Sequence, residues 1–120
     1  MLKKKEEALI HEPGPGVTRR LLNHGGRLMA VEFQFKSGAE VRPHTHPHEQ
    51  IGVFMRGRFE ATVGGKTVMA EPGDSCYWAP GVPHGVRCLE DGVILDVFTP
   101  IREDFLPGAS SELTSPPLPE

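Results

Sequence analysis

The strongest constraint on how this chain folds is its punctuation. Its 14 glycines and 12 prolines are spread through the middle of the chain and are not gathered into a linker. Apolar residues therefore occur in short runs, each closed by a turn signal, which is the pattern of a many-stranded β domain. Val17 to Leu22 and Leu28 to Phe35 read as strands separated by Asn23-His24-Gly25-Gly26, with Met29, Val31, Phe33 and Phe35 on one alternating face. After the break at Ser37-Gly38, strands are expected at Ile51 to Met55, Arg58 to Val63 and, past the Gly64-Gly65 turn, Lys66 to Ala70. Pro72-Gly73-Asp74 predicts a turn and Cys76 to Trp78 a strand. Ala79-Pro80-Gly81-Val82-Pro83 then forms a stiff loop that delivers His84. Strands at Val86 to Leu89 and Val93 to Phe98, joined by Glu90-Asp91-Gly92, complete an all-β pattern of roughly eight to ten short strands, as in a jelly-roll barrel.

A chain of 120 residues has room for one domain. The expected division is an N-terminal arm at 1–16, a barrel at 17–106 and a mobile tail at 107–120, whose composition offers little to bury. With 13 basic and 16 acidic residues the net charge is -3, and no basic block suited to a phosphate backbone is present, so nucleic acid is not an expected partner. No apolar run approaches the length of a spanning helix, and the charged first residues lack the apolar core of a signal peptide, so the reading is a cytoplasmic protein without a membrane partner. Cys76 and Cys88 are too few for a disulfide scaffold and read as free thiols, buried or half-buried.

The chemistry is concentrated in His44-Thr45-His46-Pro47-His48-Glu49-Gln50. Residues 44, 46 and 50 share one parity, so on an extended chain they face the same side and can converge on one ion. His84, at the end of its proline-stiffened loop, can supply a fourth ligand once a barrel folds it back. Such a set suits one divalent metal ion, Ni, Mn, Fe or Zn. Three histidines in five residues, answered by a distant one after a rigid turn, are hard to account for as packing. His48 shares the parity but is turned aside by Pro47 into a supporting or surface position, Glu49 points away, and His11 and His24 read as solvated. Because the ligands are all neutral, the charge of a bound dication stays available to an incoming carboxylate.

On the last strand, parity puts Ile94, Asp96 and Phe98 on one face, so a carboxylate stands between apolar neighbours. Asp96 reads either as a proton carrier beside the metal or as a carboxylate paired with an arginine such as Arg102.

Two segments resemble the motifs of the cupin superfamily. Gly38 to Gly57 follows its first motif: glycine, five residues, His-x-His, three residues, a fourth ligand, six residues, glycine. Gly73 to His84 is similar to its second. Cupins usually carry glutamate where this chain has Gln50, which turns the reading away from oxygen-activating chemistry. The order Asp96, Phe98, Arg102, with the run Arg102-Glu103-Asp104-Phe105-Leu106, resembles the uronate-linearising cupins of pectin and alginate breakdown, the KdgF type, over about residues 17 to 106. That resemblance implies a metal-dependent isomerase opening cyclic 4,5-unsaturated monouronates, small carboxylated sugars, to their linear keto form. In it Asp96 moves the proton, Arg102 grips an anionic group and Phe98 shapes the pocket wall. The competing readings are a cupin dioxygenase and a non-catalytic, metal-dependent sugar-acid binding module. Val93, Leu95 and Val97, on the other face of the last strand, need cover from a second layer or subunit, so a homodimer is expected.

Overall fold

The computed structural model describes residues 1–107, in which eight strands follow one another. They are β1 (Leu9–Gly14), β2 (Val17–Gly25), β3 (Leu28–Phe35), β4 (Glu40–His44), β5 (Glu49–Val63), β6 (Lys66–Ala70), β7 (Ser75–Trp78) and β8 (His84–Thr99). Single 3-10 turns occur at Lys5–Glu7 and Glu103–Phe105. Among the described residues no helix is long and apolar enough to cross a membrane. The tail expectation falls, apart from Pro107, outside the described residues.

β5 and β8 organise the rest. They pair antiparallel along their whole length, from Glu49 opposite Thr99 to Val63 opposite His84. Straight, the 15 residues of β5 would span about 50 Å, yet the longest dimension of the molecule is 33 Å. The ribbon must therefore bend, and it does so where its register slips between Phe54 and Phe59. Gly57 (φ +83°) and Gly92 make the bend: a Cβ on Gly57 would lie 2.5 Å from the carbonyls of Glu90 and Asp91, and one on Gly92 would lie 2.6 Å from that of Arg56. Only glycine lets the two backbones press together there.

Each half of the bent ribbon belongs to a different layer. One layer runs β1-β2-β3 onto the C-terminal half of β8, then the first half of β5 and β7. The other joins β4 to the start of β8, and the second half of β5 to β6. This is a jelly-roll arrangement of antiparallel strands. Its core is apolar and aromatic, with Val31, Phe33, Phe54, Phe59, Ile94 and Phe98 all buried. Phe35 and Phe59, from opposite layers, meet edge to face at 5.2 Å and 83°, a pair worth roughly 0.5–1.5 kcal/mol beyond area burial.

Four expectations are corrected. Within the expected N-terminal arm, residues 9–14 form strand β1, paired with β2; both of its faces are largely exposed, so no alternation marked it. Glu90-Asp91-Gly92 reverses nothing: the two expected pieces on either side are one strand, as are the two pieces of β5. Glycine there serves close backbone approach, and that looks like a turn in sequence. β4 is an additional strand. Finally, among the described residues the strand path has ends at β1 and β6 and does not close into a barrel; the layers are joined by strands shared between them.

Candidate metal centre

His44, His46 and Gln50 do not lie on one extended strand, as their parity suggested. His44 ends β4, His46 sits in the connection from β4 to β5, and Gln50 is the second residue of β5. The connection is tied down from the other side, where the Gly81 N–H donates to the His46 carbonyl at 2.9 Å. His84 opens β8 directly opposite His44. The proline-stiffened loop thus places its histidine beside the first cluster.

The ligand nitrogens of His44, His46 and His84 all lie within 4.8 Å of one another. The His44 Nδ1–H donates to the Arg42 carbonyl at 2.9 Å and the His84 Nδ1–H to the Val82 carbonyl at 2.9 Å. Each bond fixes its tautomer and leaves Nε2 as a lone-pair atom, the usual preparation of a ligating imidazole. His46 Nε2 stands 3.1 Å from the His84 Nε2 and 3.1 Å from the Gln50 Oε1. Nitrogen facing nitrogen at that distance, with one fixed as acceptor, requires a proton or a cation between them. Three imidazoles and a carbonyl oxygen, with His84 and Gln50 each only 2% exposed, suit a divalent metal ion.

Trp78, buried at the end of β7, stacks on His84 at 5.3 Å and 27°. Trp78, His84 and Asp96 line a narrow cavity of about 10 Å³ with Val41, Gly85, Val86 and Ile94. Asp96 is 2% exposed and faces Gly52 on β5; its strand neighbours Ile94 and Phe98 are buried with it, as the alternation required. The Phe98 ring lies 6.0 Å from that of His46. A groove of about 530 Å³ around Thr18, Gln34, Lys36 and Arg56 shares no residue with this cluster, and the donor chemistry marks the histidines as the site.

Arg102 lies beyond the strand. Its Nε and Nη2 donate to Asp104 at 3.0 and 2.9 Å, so the two-pronged partner of Arg102 is Asp104, a pairing absent from the sequence reading. Burial pushes the Asp104 carboxyl up, but the hydrogen bond and charge of Arg102 outweigh it and hold the group below its ordinary value. His48 is half-buried, its ring 5.5 Å from that of His46; burial, then the Arg102 charge, lower its pKa. His11 and His24 are exposed, Glu49 turns outward to accept from the Tyr77 hydroxyl at 2.6 Å, and Cys88 is buried with Cys76 half-buried.

Asp104, Phe105, Trp78, Gly52 and Arg19 were missed as parts of the site. Arg19 alone had a signal: it shares parity with Val17 and Leu21, so the alternation of β2 carries it inward.

The chain is similar to the pectin degradation protein KdgF of Dickeya dadantii (strain 3937), with 36% identity over 103 residues, covering 84% of this chain and 94% of that protein. Among solved structures it is similar to KdgF from Halomonas sp., with a TM-score of 0.81 and 35% identity over 86% of this chain and 96% of that one. It is equally similar to an RmlC-like cupin from Shewanella frigidimarina NCIMB 400, with a TM-score of 0.82 and 36% identity over 87% and 94% of the two chains. Residues 31–98 match the cupin domain, a span that contains all of the bent ribbon but Thr99 and every candidate metal ligand, and the chain belongs to the cupin domain family.

Proposed function

We propose that this protein is a metal-dependent isomerase that opens cyclic 4,5-unsaturated monouronates to their linear keto form, in the breakdown of pectin or a related polyuronate. The observation that carries the reading is the shared cavity of His84 and Asp96: a buried carboxylate borders the same space as a ligand histidine. The likeness to two KdgF proteins, one named for pectin degradation, supports the substrate class.

The reaction needs no net oxidation. As the bond between the anomeric carbon and the ring oxygen breaks, the anomeric hydroxyl gives up its proton and becomes an aldehyde. The ring oxygen, already on the C4=C5 double bond, becomes a ketone once C4 takes a proton. One group that accepts the first proton and returns one to C4 balances the process. Asp96 suits that task by position: its buried carboxylate borders the same cavity as His84, within reach of a proton to be moved. Phe98 walls the site between His46 and Arg102, excluding water from the enol. Arg102 meets an anionic or oxygen group of the sugar. His44, His46, Gln50 and His84 would hold a divalent ion, which would supply Lewis acidity toward the oxygens of the sugar acid.

The test is the loss of ultraviolet absorbance of an unsaturated galacturonate, corrected for spontaneous ring opening. Metal-loaded wild type should accelerate the loss, and Asp96→Asn should lower the rate about 10²-fold or more while retaining its metal. No acceleration by metal-filled wild type would reject this reaction; an unaffected rate in Asp96→Asn would remove Asp96 from it.

A further inference from the structure

Arg102 is almost withdrawn from water, 4% exposed, and its guanidinium is satisfied on one side only. Nε and Nη2 are taken by the two oxygens of Asp104, whereas Nη1, equally buried, has no hydrogen-bond partner among the described residues. A buried donor left unmade is costly, so the rest of the group must be firmly held. The guanidinium lies over the rings of Phe98 at 5.2 Å and Phe105 at 4.3 Å. Arg19, from β2 and also 4% exposed, lies over the same Phe105 ring at 4.1 Å. Phe105 meets Phe33 edge-on at 6.2 Å and Phe98 at 5.8 Å. The turn Glu103–Phe105 is thereby fastened to β2, β3 and β8, and Arg102 is fixed against the aromatic wall of the metal site.

We propose that Asp104 is a positioning residue. By occupying the Nε–Nη2 edge of Arg102, while Phe105 braces its plane, it presents the Nη1 edge beside Phe98 to the carboxylated sugar. This rests on the functional reading above. A guanidinium is a planar fork, and pinning one edge decides where the other points, which an unpinned arginine or a lysine cannot reproduce. The role makes a prediction opposite in sign to simple electrostatics. Removing the Asp104 charge makes the pocket more positive, and charge alone would tighten an anion; loss of positioning weakens it.

The experiment is calorimetric binding of galacturonate, a saturated uronate that cannot undergo the reaction, to nickel-loaded protein. Asp104→Asn should bind it about tenfold more weakly at unchanged nickel content, and with the unsaturated substrate KM should rise more than kcat falls. In an Arg102→Lys background the same substitution should have no further effect. Phe105→Leu, which keeps an apolar side chain in place, should weaken binding in the same direction and serves if Asp104→Asn does not fold. Wild type that binds galacturonate while Asp104→Asn binds it equally or more tightly overturns the positioning role alone. Wild type that binds no galacturonate overturns the role and the functional reading together.

Discussion

Gly52 and Asp96 face each other across β5 and β8, and a Cβ at Gly52 would stand 2.7 Å from the Asp96 Oδ1 and 2.6 Å from the Trp78 Cζ3. The absence of a side chain on β5 is therefore what makes room for a buried carboxylate beside the metal site. Gly52→Ala must displace Asp96 or Trp78, at a cost of about 1–3 kcal/mol for overpacking. Thermal unfolding should show the loss, and activity should fall further than metal affinity. An alanine variant with unchanged Tm and rate would mean that the neighbours yield freely.

Trp78 is the only tryptophan of the chain and stacks on His84, so its fluorescence should report the state of the metal centre. Addition of nickel or manganese to chelator-treated protein should quench emission in a saturable way. His84→Ala should abolish the response, and chelation should lower the wild-type Tm, since an ion that binds only the folded chain stabilises it. Emission insensitive to these metals would argue against binding at His84.

The Arg102–Asp104 pair gives the protein an acid-sensitive element. The folded carboxyl lies below its ordinary value of 3.8, so its contribution to stability is complete above that value and is lost as pH falls through the folded pKa. Asp104→Asn should therefore flatten the acid limb of a Tm-against-pH curve in that region and lower Tm near neutrality. A variant whose acid limb matches that of wild type would assign the sensitivity to other carboxylates.

On the outer face of the first layer, Tyr77, Ile51, Val97 and Ala30 line up in one row across β7, β5, β8 and β3, and Ile51, Tyr77 and Val97 are exposed. A second copy covering this row is the arrangement under which the homodimer would form. Sedimentation of wild type should show a dimer and Val97→Lys a smaller species; a wild-type monomer at micromolar concentration would rule the association out.

Much of this architecture was legible because alternation and turn chemistry are local. Leu28–Phe35 and Lys66–Ala70 needed only their own residues to be placed. What escaped was non-local. The joining of Val86–Leu89 to Val93–Phe98 depends on Gly57 pressing against the Glu90 and Asp91 carbonyls, a contact no window of β8 contains. The four candidate ligands were legible as donor types with spacing, but their placement was not: parity put three on one strand, whereas prolines split them between a strand end, a loop and a second strand. Asp104 was quoted within a motif and given no role, because its role depends on which edge of Arg102 it takes.

The bent ribbon has one more consequence. Gln50 stands at one end of it, paired with Phe98, and His84 at the other, paired with Val63, yet both reach His46 at 3.1 Å. A strip of two strands has been curled until its ends meet, and a single loop histidine is the rivet. A cation bound at that point would fasten a bracelet rather than fill a cup, so its removal should loosen both ends of the ribbon together and leave the fold at Gly57 undisturbed. Amide exchange should then quicken at 49–52 and 84–86 in step, although the two segments are far apart along the chain.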